Sequence, residues 1–285
     1  MVLFSYNNLD MTFFLDPVTP PEGRKQVHRA GALAESVAAR FSVLPQVTAI
    51  ALAGSEGAGE ADGLSDIDLY VYADAEIPVT ARHALAGEFA DRMEIDNRFW
   101  EPGDEWIDRD SGLSIDIMYR SPAWIQEQMA RVLERHEASI GYSTCFWWNV
   151  LHSRALYDPT GWYANLRQTA RQPYPAELRR AIVAKNFPIL RDNISSYRRQ
   201  VVAAIERGDW ASVHHRVNAF LASYWDILFA VNGVPHPGEK RTVEYARRLC
   251  KRLPPGWEEA AQAVLRRPAL ADLDRLADGL EQILR

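Results

Sequence analysis

The sequence predicts an α+β protein: a small mixed sheet backed by helices, followed by an all-α bundle. Three observations predict it. Strand and helix signals alternate as far as Tyr119, strand signal then almost vanishes, and helical periodicity continues to the end of the chain. A chain of 285 residues favours two domains, at roughly 100–200 residues per domain. They are expected at 20–155 and 156–285, with the boundary in the stretch 155–170.

The elements follow in order. Val27, Ala30, Leu33, Ala34, Val37, Phe41 and Leu44 recur at three- and four-residue spacing, which predicts a helix over 24–44. Pro45 ends it, and Val47–Ala53 reads as a buried strand. Residues 54–65 are rich in glycine and acidic residues and form a loop. Residues 66–72 alternate as a strand, and 79–92 look helical. Residues 94–101 and 113–119 read as two more strands, with a turn around Glu101-Pro-Gly-Asp-Glu-Trp106. Helices are expected at 122–137 and 141–153, with a short extended turn at 156–161. Further helices are expected at 175–206, 209–231, 240–252, 257–266 and 268–284. Asp209 is the predicted N-cap of the clearest of these, and 232–238 is a loop by its glycine and proline content.

Composition narrows the class. Hydrophobic residues make up 47% and charged residues 25%, as in an ordinary globular protein. Two distant cysteines, Cys145 and Cys250, argue against a disulfide framework or a zinc site and suit a reducing cytoplasm. The N-terminal stretch is a poor signal peptide, because Asp10 and Asp16 interrupt its apolar patches; Met11 is an alternative start. No run reaches the ~18 apolar residues of a membrane span. The net charge of −6 argues against nucleic acid as a partner.

The chemistry concentrates in two strands. Strand alternation puts Asp66, Asp68, Tyr70 and Tyr72 on one face and Ile67, Leu69 and Val71 on the other. Two carboxylates so close repel unless a cation sits between them. Hard oxygen ligands on a rigid strand suit Mg²⁺, which shares its shell with phosphate oxygens and water. Asp116 repeats the device within Leu113-Ser-Ile-Asp-Ile-Met-Tyr119, and reaches the same site if the strands are neighbours. Gly54-Ser55 follows a buried strand. Its backbone N–H groups and the Ser55 hydroxyl suit phosphate.

These residues resemble the nucleotidyltransferase superfamily of DNA polymerase β. Its pattern is Gly-Ser or Gly-Gly, about ten residues, Asp-x-Asp, and a third carboxylate on a later strand. Here residues 56–65 separate Gly54-Ser55 from Asp66-Ile-Asp68, and Asp116 fits the third position. The match covers the first ~120 residues. Within the superfamily the chain looks most like the small bacterial enzymes that modify aminoglycoside or lincosamide antibiotics and carry a helical C-terminal domain. Residues 156–161 and, more loosely, 232–241 are similar to segments of those enzymes.

The resemblance implies a minimal polymerase β-like domain and transfer of a nucleoside monophosphate from an NTP, ATP in the first instance, with pyrophosphate leaving. The acceptor would be a hydroxyl of a small molecule. Two Mg²⁺ ions ~3.5–4 Å apart would be held by Asp66, Asp68 and Asp116, or Asp116 would act as general base. Gly54, Ser55, Ser65, Lys240 and Arg241 are the candidate nucleotide-binding residues, the last two as a triphosphate clamp reaching across the cleft. Lys185 and Arg191 are weaker candidates. By their own charges, Glu94, Asp96, Glu101 and Glu105 either would attract a cationic acceptor such as an aminosugar or, as such clusters more often do, form an ordinary solvated hairpin. Trp147, Trp148, Tyr224 and Trp225 are candidate stacking residues, although aromatics at helical spacing are more often core. Arg207-x6-His214 matches a ribonuclease motif by chance. Two rivals remain: adenylylation of a partner protein, and a nucleotide-binding regulatory module without turnover.

Overall fold

The computed structural model describes residues 23–54, 66–99 and 101–285. Ser55, Ser65 and both candidate start methionines lie outside the described residues. Helix α1 (Gly23–Phe41) buries Ala30, Ala34, Val37, Ala38 and Phe41 along one stripe. It stops three residues before Leu44, which sits in the turn leading to the sheet.

Six strands form one mixed sheet: β1 (Val47–Leu52), β2 (Ile67–Ala73), β3 (Ala90–Asn97), β4 (Gly103–Asp108), β5 (Ser114–Arg120) and β6 (Arg154–Tyr157), in the order β3-β4-β5-β2-β1-β6. Only β2 and β5 run parallel among these pairs; the others are antiparallel. Helix α2 (Val79–Phe89) ends earlier than its periodicity suggests, and β3 starts at once from Ala90. The expected turn around Gly103–Trp106 is itself a strand. Its acidic residues disguise it, because Asp104 is buried and bonded to Arg82 and Tyr119 rather than solvated. The expected turn at 156–161 likewise begins as β6, which pairs with β1.

Beyond the sheet come α3 (Pro122–Leu133), α4 (Cys145–His152), α5 (Trp162–Ala170), α6 (Ala176–Arg191), α7 (Tyr197–Glu206), α8 (Trp210–Val231), α9 (Thr242–Leu249), α10 (Trp257–Arg266) and α11 (Leu270–Leu284). Ser121 caps α3 by accepting from the Trp124 N–H at 3.1 Å, and Asp209 caps α8 by accepting from the Ser212 N–H at 3.1 Å. The single helix expected over 175–206 is two, broken after Arg191, and Pro188 falls inside the last turn of the first. Helix α4 starts at Cys145 rather than 141 because Gly141 (φ 72°) and Tyr142 (φ 54°) are left-handed.

Three apolar clusters organise the molecule. Helices α1 and α2 cover one face of the sheet. Helices α3 to α6 cover the other, over Ala49, Ala51, Tyr70 and Tyr72, and Ala230 of α8 joins them. The rest of α8 is the centre of a third cluster with α6, α7 and α9 to α11. Helix α8 therefore ties the C-terminal bundle to the sheet. Among the described residues no helix is long and apolar enough to cross a membrane, and both cysteines are free thiols.

Candidate active site

Parallel pairing of β2 and β5 sets Asp68 directly opposite Asp116. Opposed residues on neighbouring strands share a face, so both carboxylates project to the same side. Asp66 stands exposed just before β2, and the other two are half-buried. Gly54 closes in from β1 with φ 60°, and a Cβ there would lie 2.0 Å from the Asp68 Oδ2. Only glycine lets the chain pass this carboxylate in that conformation. The Ala53 N–H donates to the Asp68 carbonyl at 2.8 Å and fixes the approach.

The electrostatics are those of crowded carboxylates. Burial raises the proton affinity of Asp68, Lys240 opposes that rise, and Asp66 adds to it. Asp116 is pushed up to about 6, first by burial and then by Asp68, Glu105, Asp66 and Glu101. Glu105 of β4 lies directly across from Asp116, and Glu94 of β3 across from Glu105. A row of four carboxylates thus crosses the sheet from Asp68. Among the described residues no group of three or more His, Cys, Asp or Glu is gathered closely enough to hold a metal ion by itself. The donors are a facing pair with a third carboxylate at the rim. That open set fits Mg²⁺, which takes one or two carboxylates and fills its shell with water and phosphate.

The opposite wall comes from the helical region. A cleft of about 600 Å³ is lined by Gly54, Asp66, Asp68 and Asp116 together with Trp148, Asn149 and His152 of α4, and Lys240, Arg241 and Tyr245. The expected clamp residues therefore do share a cleft with the aspartates. Asn149 Nδ2 donates to the Tyr70 hydroxyl at 3.1 Å, holding α4 against β2. His152 stacks on Trp148 at 3.6 Å with 20° between planes, and Tyr245 meets Trp148 edge-on at 5.3 Å. The His152 Nδ1 lies 2.8 Å from the Trp148 carbonyl. A carbonyl can only accept, so Nδ1 carries the proton.

Other candidates are placed elsewhere. Trp147 is core and donates to the Ala170 carbonyl, while Tyr224 and Trp225 lie in the C-terminal cluster; of the four aromatics only Trp148 lines the cleft. Lys185 donates to the Ala138 carbonyl, and Arg191 pairs with Asp278 and Glu281. Asp96 pairs with Arg82 and Arg98, and Glu101 with Arg120. Asn149, His152 and Tyr245 were not anticipated. Their only signal was a shared helix face with Trp148 for the first two, and nothing in the sequence brings that face to the aspartates.

No protein-family model matches the chain, and no curated protein matches it. Solved structures do. A nucleotidyltransferase-like protein from Exiguobacterium sibiricum 255-15 is 13% identical, with 92% of this chain and 74% of that chain covered and a TM-score of 0.41. A CCA-adding enzyme in complex with CTP is 14% identical, over 85% and 60%, with a TM-score of 0.32. The CdnC:HORMA-deltaN complex of E. coli MS115-1 is 13% identical, over 90% and 91%, with a TM-score of 0.30. At these overlaps the likeness itself decides nothing about activity, which rests on the residues of the cleft.

Proposed function

We propose that the cleft transfers a nucleoside monophosphate, AMP from ATP in the first instance, to a hydroxyl of a small molecule with release of pyrophosphate. The observation that carries this reading is the register of β2 and β5. It opposes Asp68 to Asp116 beneath a cleft whose far wall presents Lys240 and Arg241.

Asp66, Asp68 and Asp116 are the residues that would hold the metal. When bound there, Mg²⁺ supplies charge neutralisation for the leaving pyrophosphate and acidifies the acceptor hydroxyl. Lys240 and Arg241 bind the triphosphate from above, and the close passage of Gly54 leaves room for it. Asp116 either completes the metal set or takes the proton of the acceptor hydroxyl. Its raised proton affinity suits the second role. Trp148, His152 and Tyr245 form a wall of rings for a flat or apolar part of a ligand. The row through Glu105 and Glu94 draws a cationic acceptor, an aminosugar above all. Two free cysteines suit a reducing cytoplasm.

The test presents the four NTPs with Mg²⁺ and a panel of aminoglycosides, lincosamides and cell extract, reading pyrophosphate and product mass. The Asp68→Ala protein is expected to lose about 100-fold or more of the rate, since even partners one bond removed from a metal cost 10–100-fold. An unchanged rate in that variant sinks the mechanism. A mass shift on a protein in the extract, or nucleotide binding with no turnover at all, would favour the respective rival.

A further inference from the structure

The segment from Asn232 to Arg252 is a closed excursion from the helical bundle. Its base is clasped by two hydrogen bonds: Asn232 Nδ2 donates to the Arg252 carbonyl at 3.0 Å, and the Arg252 N–H donates to Asn232 Oδ1 at 2.7 Å. Its tip carries Lys240 and Arg241 into the cleft. Between base and tip, His236 is fully buried. Its backbone N–H donates to the Thr144 hydroxyl at 2.8 Å. Its ring sits between those of Tyr142 and Phe229, each centroid 5.0 Å away. The Gly238 N–H donates to its Nδ1 at 3.0 Å, and Cys145 Sγ lies 3.6 Å from the same nitrogen.

A filler would not need this chemistry. Because Nδ1 accepts from Gly238, the ring proton is on Nε2, which is buried and has no acceptor among the described residues. Leaving a buried donor unmade is costly, and an apolar side chain would fill the space without that cost. Burial pushes the ring down to about 3, so Nδ1 keeps its lone pair at neutral pH. Gly238, at φ 109°, is a backbone position that other residues rarely adopt. It is two residues from the clamp lysine, Lys240.

We infer that His236 is a positioning residue for nucleotide binding: its Nδ1 holds the Gly238 N–H and so fixes Lys240 and Arg241 over the aspartates. This rests on the reading of the cleft as a nucleotide site. The test titrates Mg²⁺ and the non-hydrolysable α,β-methylene analogue of ATP into wild-type, His236→Asn and His236→Leu protein by calorimetry. Hydrogen exchange of residues 233–245 is followed alongside. Asn places its side-chain oxygen near where the ring holds Nδ1 and keeps the acceptor; Leu fills the space without one. The Leu variant is expected to bind the analogue about tenfold more weakly and to exchange faster around Gly238, with Asn within about threefold of wild type in both. Equal affinity in all three proteins overturns the inference. So does an equal loss in both variants, which would reduce His236 to filler. If the Leu variant does not fold, His236→Gln replaces it, since its longer side chain carries the oxygen past Gly238 and is expected to behave as Leu does. A wild-type protein that binds no nucleotide would instead sink the functional reading, and the exchange data would still decide whether His236 anchors the segment.

Discussion

At the residue scale, Asp116 is a candidate catalytic carboxylate whose electrostatic cost can be read from its surroundings. Its proton affinity is raised from 3.8 to about 6 by burial and by the carboxylates around it. The native state therefore binds more protons than the unfolded chain across that interval, and stability falls as pH rises through it. About one unit above pH 6 Asp116 is ionised in both states and the loss, from burial of the charge and from repulsion, is complete. Asp116→Asn should therefore melt about 2–4 °C higher than wild type at pH 7.5 for each kcal/mol of repulsion relieved, and match wild type at pH 4, while losing turnover. Mg²⁺ should raise the melting temperature of wild type more than that of the variant. Thermal melts at the two pH values, with and without Mg²⁺, check both statements. An identical melting temperature at pH 7.5 would remove the electrostatic argument. The spacing of Asp66 and Asp68 was legible because strand alternation is local. The partnership with Asp116 was legible only as a condition on strand adjacency, which the β2–β5 register meets.

At the scale of elements, the hardest piece to read was β4. Gly103-Asp-Glu resembles a turn by composition, yet Asp104 is almost fully buried. It accepts from Arg82 Nη1 at 2.8 Å, from the Tyr119 hydroxyl at 2.5 Å and from the Asp96 N–H at 2.9 Å. Those partners come from α2, β5 and β3, so no window of sequence contains them. Removing the carboxylate leaves the buried Arg82 guanidinium with Asp96 as its remaining carboxylate and the Tyr119 hydroxyl without its acceptor, and Asp104→Ala should cost about 1.5–3 kcal/mol in urea unfolding. A loss below about 1 kcal/mol would mean that Arg82 finds another partner or reaches solvent. The α6–α7 break was missed for a related reason. The amphipathic pattern continues across it, whereas the chain turns there so that α7 packs on α8.

At the scale of the whole molecule, the cleft joins residues 172 positions apart in the chain, Asp68 and Lys240. Lys240 is exposed and its charge lowers the proton affinity of Asp68. Lys240→Ala should weaken Mg²⁺–ATP binding about tenfold, which is about 1.4 kcal/mol. Stability without nucleotide should stay within about 0.5 kcal/mol, as for an ordinary surface change. Calorimetry and urea unfolding separate the two effects, and unchanged affinity would take Lys240 out of the site.

The sequence by itself determined the α+β class, the helical second half, the Asp66–Asp68 pair and the glycine before it. Each depends on periodicity or on neighbours in the chain, and periods of 2 and 3.6 are local properties. Tertiary structure alone decided that Asn149, His152 and Tyr245 face the aspartates, that Trp147, Tyr224 and Trp225 are core, and that Lys185 and Arg191 are spent elsewhere. These outcomes depend on how α8 docks the bundle against the sheet. That docking is set by the packing of apolar surfaces, which many sequences share and no short motif encodes.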